Sequence, residues 1–130
     1  MVLGTDLTTY LLIGFGAFLG ANLRFIVSGL AANQFGAHFP YGTLIINVTG
    51  SFVIGVFLTL LTRGFPLPLA SRMFFAVGFL GGYTTFSSFT FETLTLILAK
   101  SYLAAALNAI GSIILGLIAV AAGVIVGRQF

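Results

Sequence analysis

Met73 to Ala99 reads MFFAVGFLGGYTTFSSFTFETLTLILA. A helix crossing a bilayer needs about 20 predominantly apolar residues, and this stretch is long enough, yet its middle is polar. Gly81 and Gly82 stand just before the β-branched pair Thr84 and Thr85, with Ser87 and Ser88 close behind. Two helix-weakening glycines ahead of two threonines predict a broken helix, with a simple kink as the plainer alternative. Unwound backbone at mid-membrane survives only where other groups satisfy it. Carbonyls released by such a break could hold a small cation. The one charge in the stretch, Glu92, falls towards its end.

Working outward, three more segments qualify as spans: Leu7 to Leu30, Tyr41 to Leu61 and Ser101 to Gly127. Strands of a membrane barrel would alternate in polarity, whereas these are apolar on all sides. The fold class is therefore all-α: an integral membrane protein of four transmembrane helices, with the 130 residues forming a single domain. Loops are short, at Ala31 to Pro40, at Thr62 to Arg72 with Pro66 and Pro68, and in a tight turn at Lys100. Composition agrees. Hydrophobic residues make up 59% of the chain and charged ones 5%, against roughly 45–50% apolar and about 25% charged in soluble domains. The amino end carries Asp6 and no positive charge, so the first segment reads as a retained helix and not as a secretory signal. Arg63, Arg72 and Arg128 fall on the side of the termini, and Lys100 with Arg24 towards the other. That imbalance is too small to fix orientation, though it leans to termini inside.

Several functions are excluded by the same inventory. There is no cysteine, and one histidine with two carboxylates cannot make a zinc site of the usual kind. Five basic residues are too sparse to track a phosphate backbone, which removes nucleic acid as a partner. No phosphate-binding loop and no nucleophile–base pair is present, so the chain is not expected to be an enzyme or to be driven by ATP.

Polar residues in lipid are costly, so their placement points to function. Thr43, Asn47 and Ser51 recur every four residues in the second span, and Asn108 and Ser112 do so in the fourth, with Gly116 next. Single hydroxyls can simply bond back to their own helix, but two stripes and the third-span cluster favour a shared polar path. Phe86 and Phe89 share a helical face, where positive ring edges could replace part of an anion's water shell. Glu92 continues that face. Four packed helices leave no aqueous space at their centre, which puts a polar pathway between subunits. Three glycine pairs four apart, Gly16/Gly20, Gly78/Gly82 and Gly123/Gly127, favour close helix contact.

These residues resemble a known family. Gly16-Ala17-Phe18-Leu19-Gly20-Ala21-Asn22-Leu23-Arg24-Phe25 resembles the glycine-rich, arginine-ended signature of the Fluc (CrcB) fluoride channels. Gly42-Thr43-Leu44-Ile45-Ile46-Asn47, continuing to Gly50-Ser51-Phe52, is similar to the second-span motif of that family. Gly78-Phe79-Leu80-Gly81-Gly82-Tyr83-Thr84-Thr85-Phe86-Ser87-Ser88-Phe89 resembles its third-span motif. The three occur in order and the likeness covers the whole chain.

The resemblance implies a fluoride-selective channel of the cell's inner (plasma) membrane that exports F⁻ passively and relieves fluoride toxicity. It implies an antiparallel, dual-topology homodimer with two pores and a central structural Na⁺. The Na⁺ would be held by the main-chain carbonyls of Gly81 and Thr84. Phe86 and Phe89 would be the pore phenylalanines and Asn47 the donor beside them. Thr43, Thr85, Ser88, Asn108 and Ser112 would contribute polar groups along the path, and Arg24 and Glu92 would belong to the vestibules. Asn108 stands where some members carry tyrosine or serine, and Gly116 where many carry serine, so the fourth-span assignments depart from the pattern. The alternative is a proton-coupled exporter similar to the small multidrug resistance family. That family would require a carboxylate deep in the first span, and here only Glu92 could serve as the coupling acid.

Overall fold

The computed structural model describes residues 6–130, all of whose regular elements are helices; of the single domain expected over 1–130, the first five residues lie outside the described ones. Helix α1 (Leu7–Phe35) starts at Asp6, whose carboxylate accepts the Thr8 N–H at 3.1 Å, supplying one of the acceptors that a helix start lacks. It ends at Gly36, where φ is +82°. Helix α2 (Tyr41–Thr62) follows after a short loop. A helical arm then comprises α3 (Leu69–Ser71), a π-wound stretch (Arg72–Leu80) and α4 (Gly81–Tyr83). After a break come α5 (Phe86–Leu98) and α6 (Tyr102–Gly127).

Three uninterrupted helices, α1, α2 and α6, are long and apolar enough to cross a membrane. The segment between α2 and α6 is helical but broken. Its turn into α6 is made at Lys100, which takes a positive φ of 60°, while the Lys100 and Ser101 N–H groups close onto Ile97 and Leu96 carbonyls. Most bounds match the sequence reading within a few residues. Helix α1 is the exception, running past Leu30 to Phe35. At 1.5 Å per residue it is about 43 Å long, well over the roughly 30 Å hydrocarbon core. Arg24 thereby lies about 16 Å from its carboxyl end.

The break also falls elsewhere than the glycines imply. Gly81 keeps right-handed helical dihedrals, φ −63° and ψ −37°, and both glycines belong to α4. Extended backbone begins at Thr84 (φ −78°, ψ 157°) and continues through Thr85 (φ −151°, ψ 120°). β-Branched residues favour such conformations, and the Thr84 hydroxyl closes the ended helix by donating to Leu80 O at 2.9 Å. Gly82 serves packing instead, since a Cβ there would lie 2.6 Å from Ala17 O.

The paired glycines make two close helix contacts inside the chain. Gly16 and Gly20 of α1 face the backbone of the arm at Phe74, Phe79 and Tyr83, while Gly78 and Gly82 face Ile13 and Ala17 in return. Gly123 and Gly127 of α6 meet Phe52, Val56 and Thr59 of α2. Small residues let the main chains approach where lipid offers no hydrophobic drive between helices. Both contacts join helices running in the same direction.

This packing predicts a contrast. Gly20→Val would drive a side chain into Phe79 O and is expected to lower stability by about 1–3 kcal/mol, as overpacking does. Gly111→Ala, where an added methyl meets nothing within 4 Å, is expected to be neutral or to stabilise by up to ~1 kcal/mol. Thermal midpoints of the two variants in detergent check both.

Candidate functional site: a cleft at the helix break

Asn47 builds the site. Its Nδ2 donates to Thr85 O at 2.9 Å and its Oδ1 accepts the Thr85 N–H at 2.9 Å. A side-chain amide thus stands in for a peptide group and satisfies both backbone groups of an extended residue. Thr85 in turn caps α5: its Oγ1 accepts the Ser88 N–H at 3.2 Å and donates to Ser88 Oγ at 3.1 Å. Thr85 is buried, which Asn47 and this cap make tolerable.

These bonds release particular carbonyls. In an unbroken helix Gly81 O would accept from Thr85 and Thr84 O from Ser88. Both N–H groups are instead taken by side chains, Asn47 and Thr85 respectively. Both carbonyls are therefore left without an intrahelical partner, beside Thr84 N–H, which bonds Leu80 O at 3.0 Å. On the other side of the break, α5 begins with N–H groups that have no intrahelical acceptor. The two ends carry opposite partial charge, negative at the carboxyl end of α4 and positive at the amino end of α5.

A cleft of about 450 Å³ opens at this point. Its walls bring together Asn47, Thr85, Phe86, Phe89 and Ser112 with Gly81 and Thr84, all singled out from sequence, and add Ser51 of the second-span stripe. Among the described residues, no charged side chain lines it. The Phe86 and Phe89 rings are 5.8 Å apart and tilted by 48°. Phe86 is 76% exposed, so its ring faces a side that no helix of this chain covers. Asn47 has one amide hydrogen left after binding Thr85, because its nitrogen carries two. Ser51 is less available, since its hydroxyl donates to Asn47 O at 2.7 Å.

Other candidate residues lie elsewhere. Thr43 is buried and donates to Glu92 Oε1 at 2.8 Å, in a second cleft of about 310 Å³ that also holds His38, Tyr41 and Thr95. Glu92 Oε2 has no hydrogen-bond partner among the described residues. Asn108 is only 1% exposed and does not line the main cleft. It donates to Thr93 Oγ1 at 2.9 Å, and Thr93 donates to Phe89 O at 2.8 Å. With Ser112 donating to Asn108 Oδ1 at 3.4 Å, a polar chain runs from the cleft to the backbone of Phe89. Ser88 sits behind Thr85, outside the lining. Arg24 lines neither cleft. Sequence reasoning missed Thr93, whose only signal is a hydroxyl within an apolar span.

Asn47→Asp would turn a carboxylate oxygen towards Thr85 O and lose the donor. The expected cost is about 1–3 kcal/mol or more, seen as faster deuterium exchange of the Thr85 amide. Unaltered exchange would separate Asn47 from the break.

Comparison with other proteins shows the family. The family described as "CrcB-like protein, Camphor Resistance (CrcB)" matches residues 11–124. A protein of Roseiflexus sp. (strain RS-1) named "Fluoride-specific ion channel FluC" is 49% identical over 116 residues, 89% of this chain and 94% of the relative. A protein of the same name from Chloroflexus aurantiacus is 44% identical over 120 residues, covering 92% and 95%. Another from Rhodospirillum rubrum is 50% identical over 115 residues, covering 86% and 88%. With its match spanning most of every chain compared, this multi-pass membrane protein belongs to the CrcB family.

Proposed function

We propose that the chain forms a fluoride-selective channel of the plasma membrane, as the names of its relatives suggest. The observation that carries the reading is the cleft at the break, walled by neutral polar groups and two phenyl rings and free of charged side chains. Fluoride is small and strongly hydrated, so its path must supply replacements for water. The spare Asn47 hydrogen, the amino end of α5 and the edges of Phe86 and Phe89 are such replacements. Neutral donors also let the ion leave, since conduction requires binding that is weak enough to release.

The cleft is open on the Phe86 side, and a second copy is the natural cover. Packed in inverted orientation, two chains would enclose two such paths. Each would also offer its freed Gly81 and Thr84 carbonyls near the shared axis. Main-chain oxygens of this kind suit a hard cation, so the residues fit the structural Na⁺ of the family reading. When bound, the ion would supply the positive charge that holds these carbonyl ends together. Flow is passive: a potential negative inside is worth roughly 2.3 kcal/mol per 100 mV for a unit charge, which favours expelling an anion. Acid entering as neutral HF and ionising inside would leave as F⁻. Arg24 and Glu92 keep vestibule roles in this reading, with Thr43 beside Glu92 at one mouth. A proton-coupled exporter has less support, because Leu7–Phe35 contains no carboxylate.

The test is efflux from liposomes holding the purified protein, read by a fluoride electrode after valinomycin sets the potential. Prompt release of fluoride but not chloride is expected; release only under a pH gradient would instead support coupling. Phe86→Ile is expected to cut efflux by at least about ten-fold while assembly is retained, the equivalent of ~1.4 kcal/mol. If a bound Na⁺ ties the dimer, replacing it by a large organic cation is expected to lower the thermal midpoint by mass action. An unchanged midpoint would remove the cation.

A further inference from the structure

Tyr83 is the last residue of α4 and is buried, with 8% of its surface exposed. Its ring stacks on Phe79 at 6.2 Å, leaving the hydroxyl to find a partner inside an apolar span. That partner is Thr49 of α2: the two oxygens lie 2.9 Å apart. The direction of the bond follows from proton counting. Thr49 Oγ1 has one hydrogen and lies 2.7 Å from Ile45 O and 3.2 Å from Ile46 O, so its own proton goes to its helix backbone. Tyr83 must then donate and Thr49 accept. A one-way chain results, from the Tyr83 hydroxyl through the Thr49 hydroxyl to the backbone of α2.

The position of this bond gives it meaning. Helix α2 touches the consecutive residues Tyr83, Thr84 and Thr85 of the break: Thr49 holds Tyr83, Gly50 admits the methyl of Thr84, and Asn47 pairs with Thr85. A side chain at Gly50 would occupy the space of Thr84 Cγ2. Asn47 secures the break from its α5 side. Among the described residues, no other hydrogen bond ties its α4 side to α2.

We infer that Tyr83 and Thr49 form a positioning pair that fixes the α4 side of the break, and through it the placement of Phe86 in the path. The inference rests on the channel reading above. It is read by two measurements on the reconstituted protein: deuterium exchange of the amides at 84–88, and fluoride efflux. Tyr83→Phe removes the donor and Thr49→Val the acceptor, with little change of volume. Each is expected to speed exchange at the break by about five-fold, the equivalent of one net hydrogen bond, and to slow efflux by a similar factor. The double variant is expected to be no worse than either single one, and Thr49→Ser to behave as the parent.

Unchanged exchange in Tyr83→Phe, or additive losses in the double variant, would overturn the pair. Faster exchange with parental efflux would make it a structural contact only and overturn its positioning role. Absence of fluoride efflux from the parent protein would instead defeat the channel reading, while the exchange arm would still decide whether Tyr83 holds the break.

Discussion

The two-way bond between the Asn47 amide and the backbone of Thr85 is the contact on which the rest depends. Extended backbone in a span needs partners for both its polar groups, because lipid supplies none. A primary amide is the one uncharged side-chain group that offers donor and acceptor together in a peptide-like plane. With Asn47 in place, two residues can leave the helix without orphaning Thr85. The glycine contacts of α1 with the arm and of α6 with α2 hold each of these helix pairs together. Between α2 and the break itself it is Gly50 that allows the close approach, because a side chain there would occupy the space of Thr84 Cγ2.

Once broken, the helix presents two unlike ends at one depth. Freed carbonyls at Gly81 and Thr84 face one requirement, an electropositive partner, while the amino end of α5 meets the opposite one. A continuous helix would cancel both. Opposite ions can thus be served by a single irregularity, a cation on the carbonyl side and an anion on the amide side, without a charged side chain in the cleft. On the proposed reading this separation is what lets a halide pass through lipid without being trapped by a fixed lysine or arginine.

Much of this was legible in the residues. Apolar length gave the helices, and the Thr84–Thr85 pair with the nearby glycines gave the existence of a break. Its location was not, because Gly81 and Gly82 weaken a helix in isolation yet are held helical by the packing of Gly82 on Ala17. The second-span stripe also divided. Residues four apart drift by about 40° around a helix, so Thr43 and Ser51 differ by about 80° and are about 12 Å apart along the axis. Thr43 accordingly meets Glu92 in one cleft while Asn47 and Ser51 face the other. Asn108 points at Thr93 for a similar reason. Contacts such as Thr49 with Tyr83, joining distant positions, leave no periodic signature at all.

Whether ions travel beside Asn47 can be asked directly, because the chain has no native cysteine. Ser112→Cys places a thiol on the cleft wall, and Leu107→Cys places one on the outer face of α6, where Leu107 is 57% exposed. Treatment with a small charged thiosulfonate reagent should abolish fluoride efflux through the first variant, with fluoride itself slowing the reaction, and leave the second conducting. Full modification of Ser112→Cys with undiminished efflux would contradict a path along this cleft.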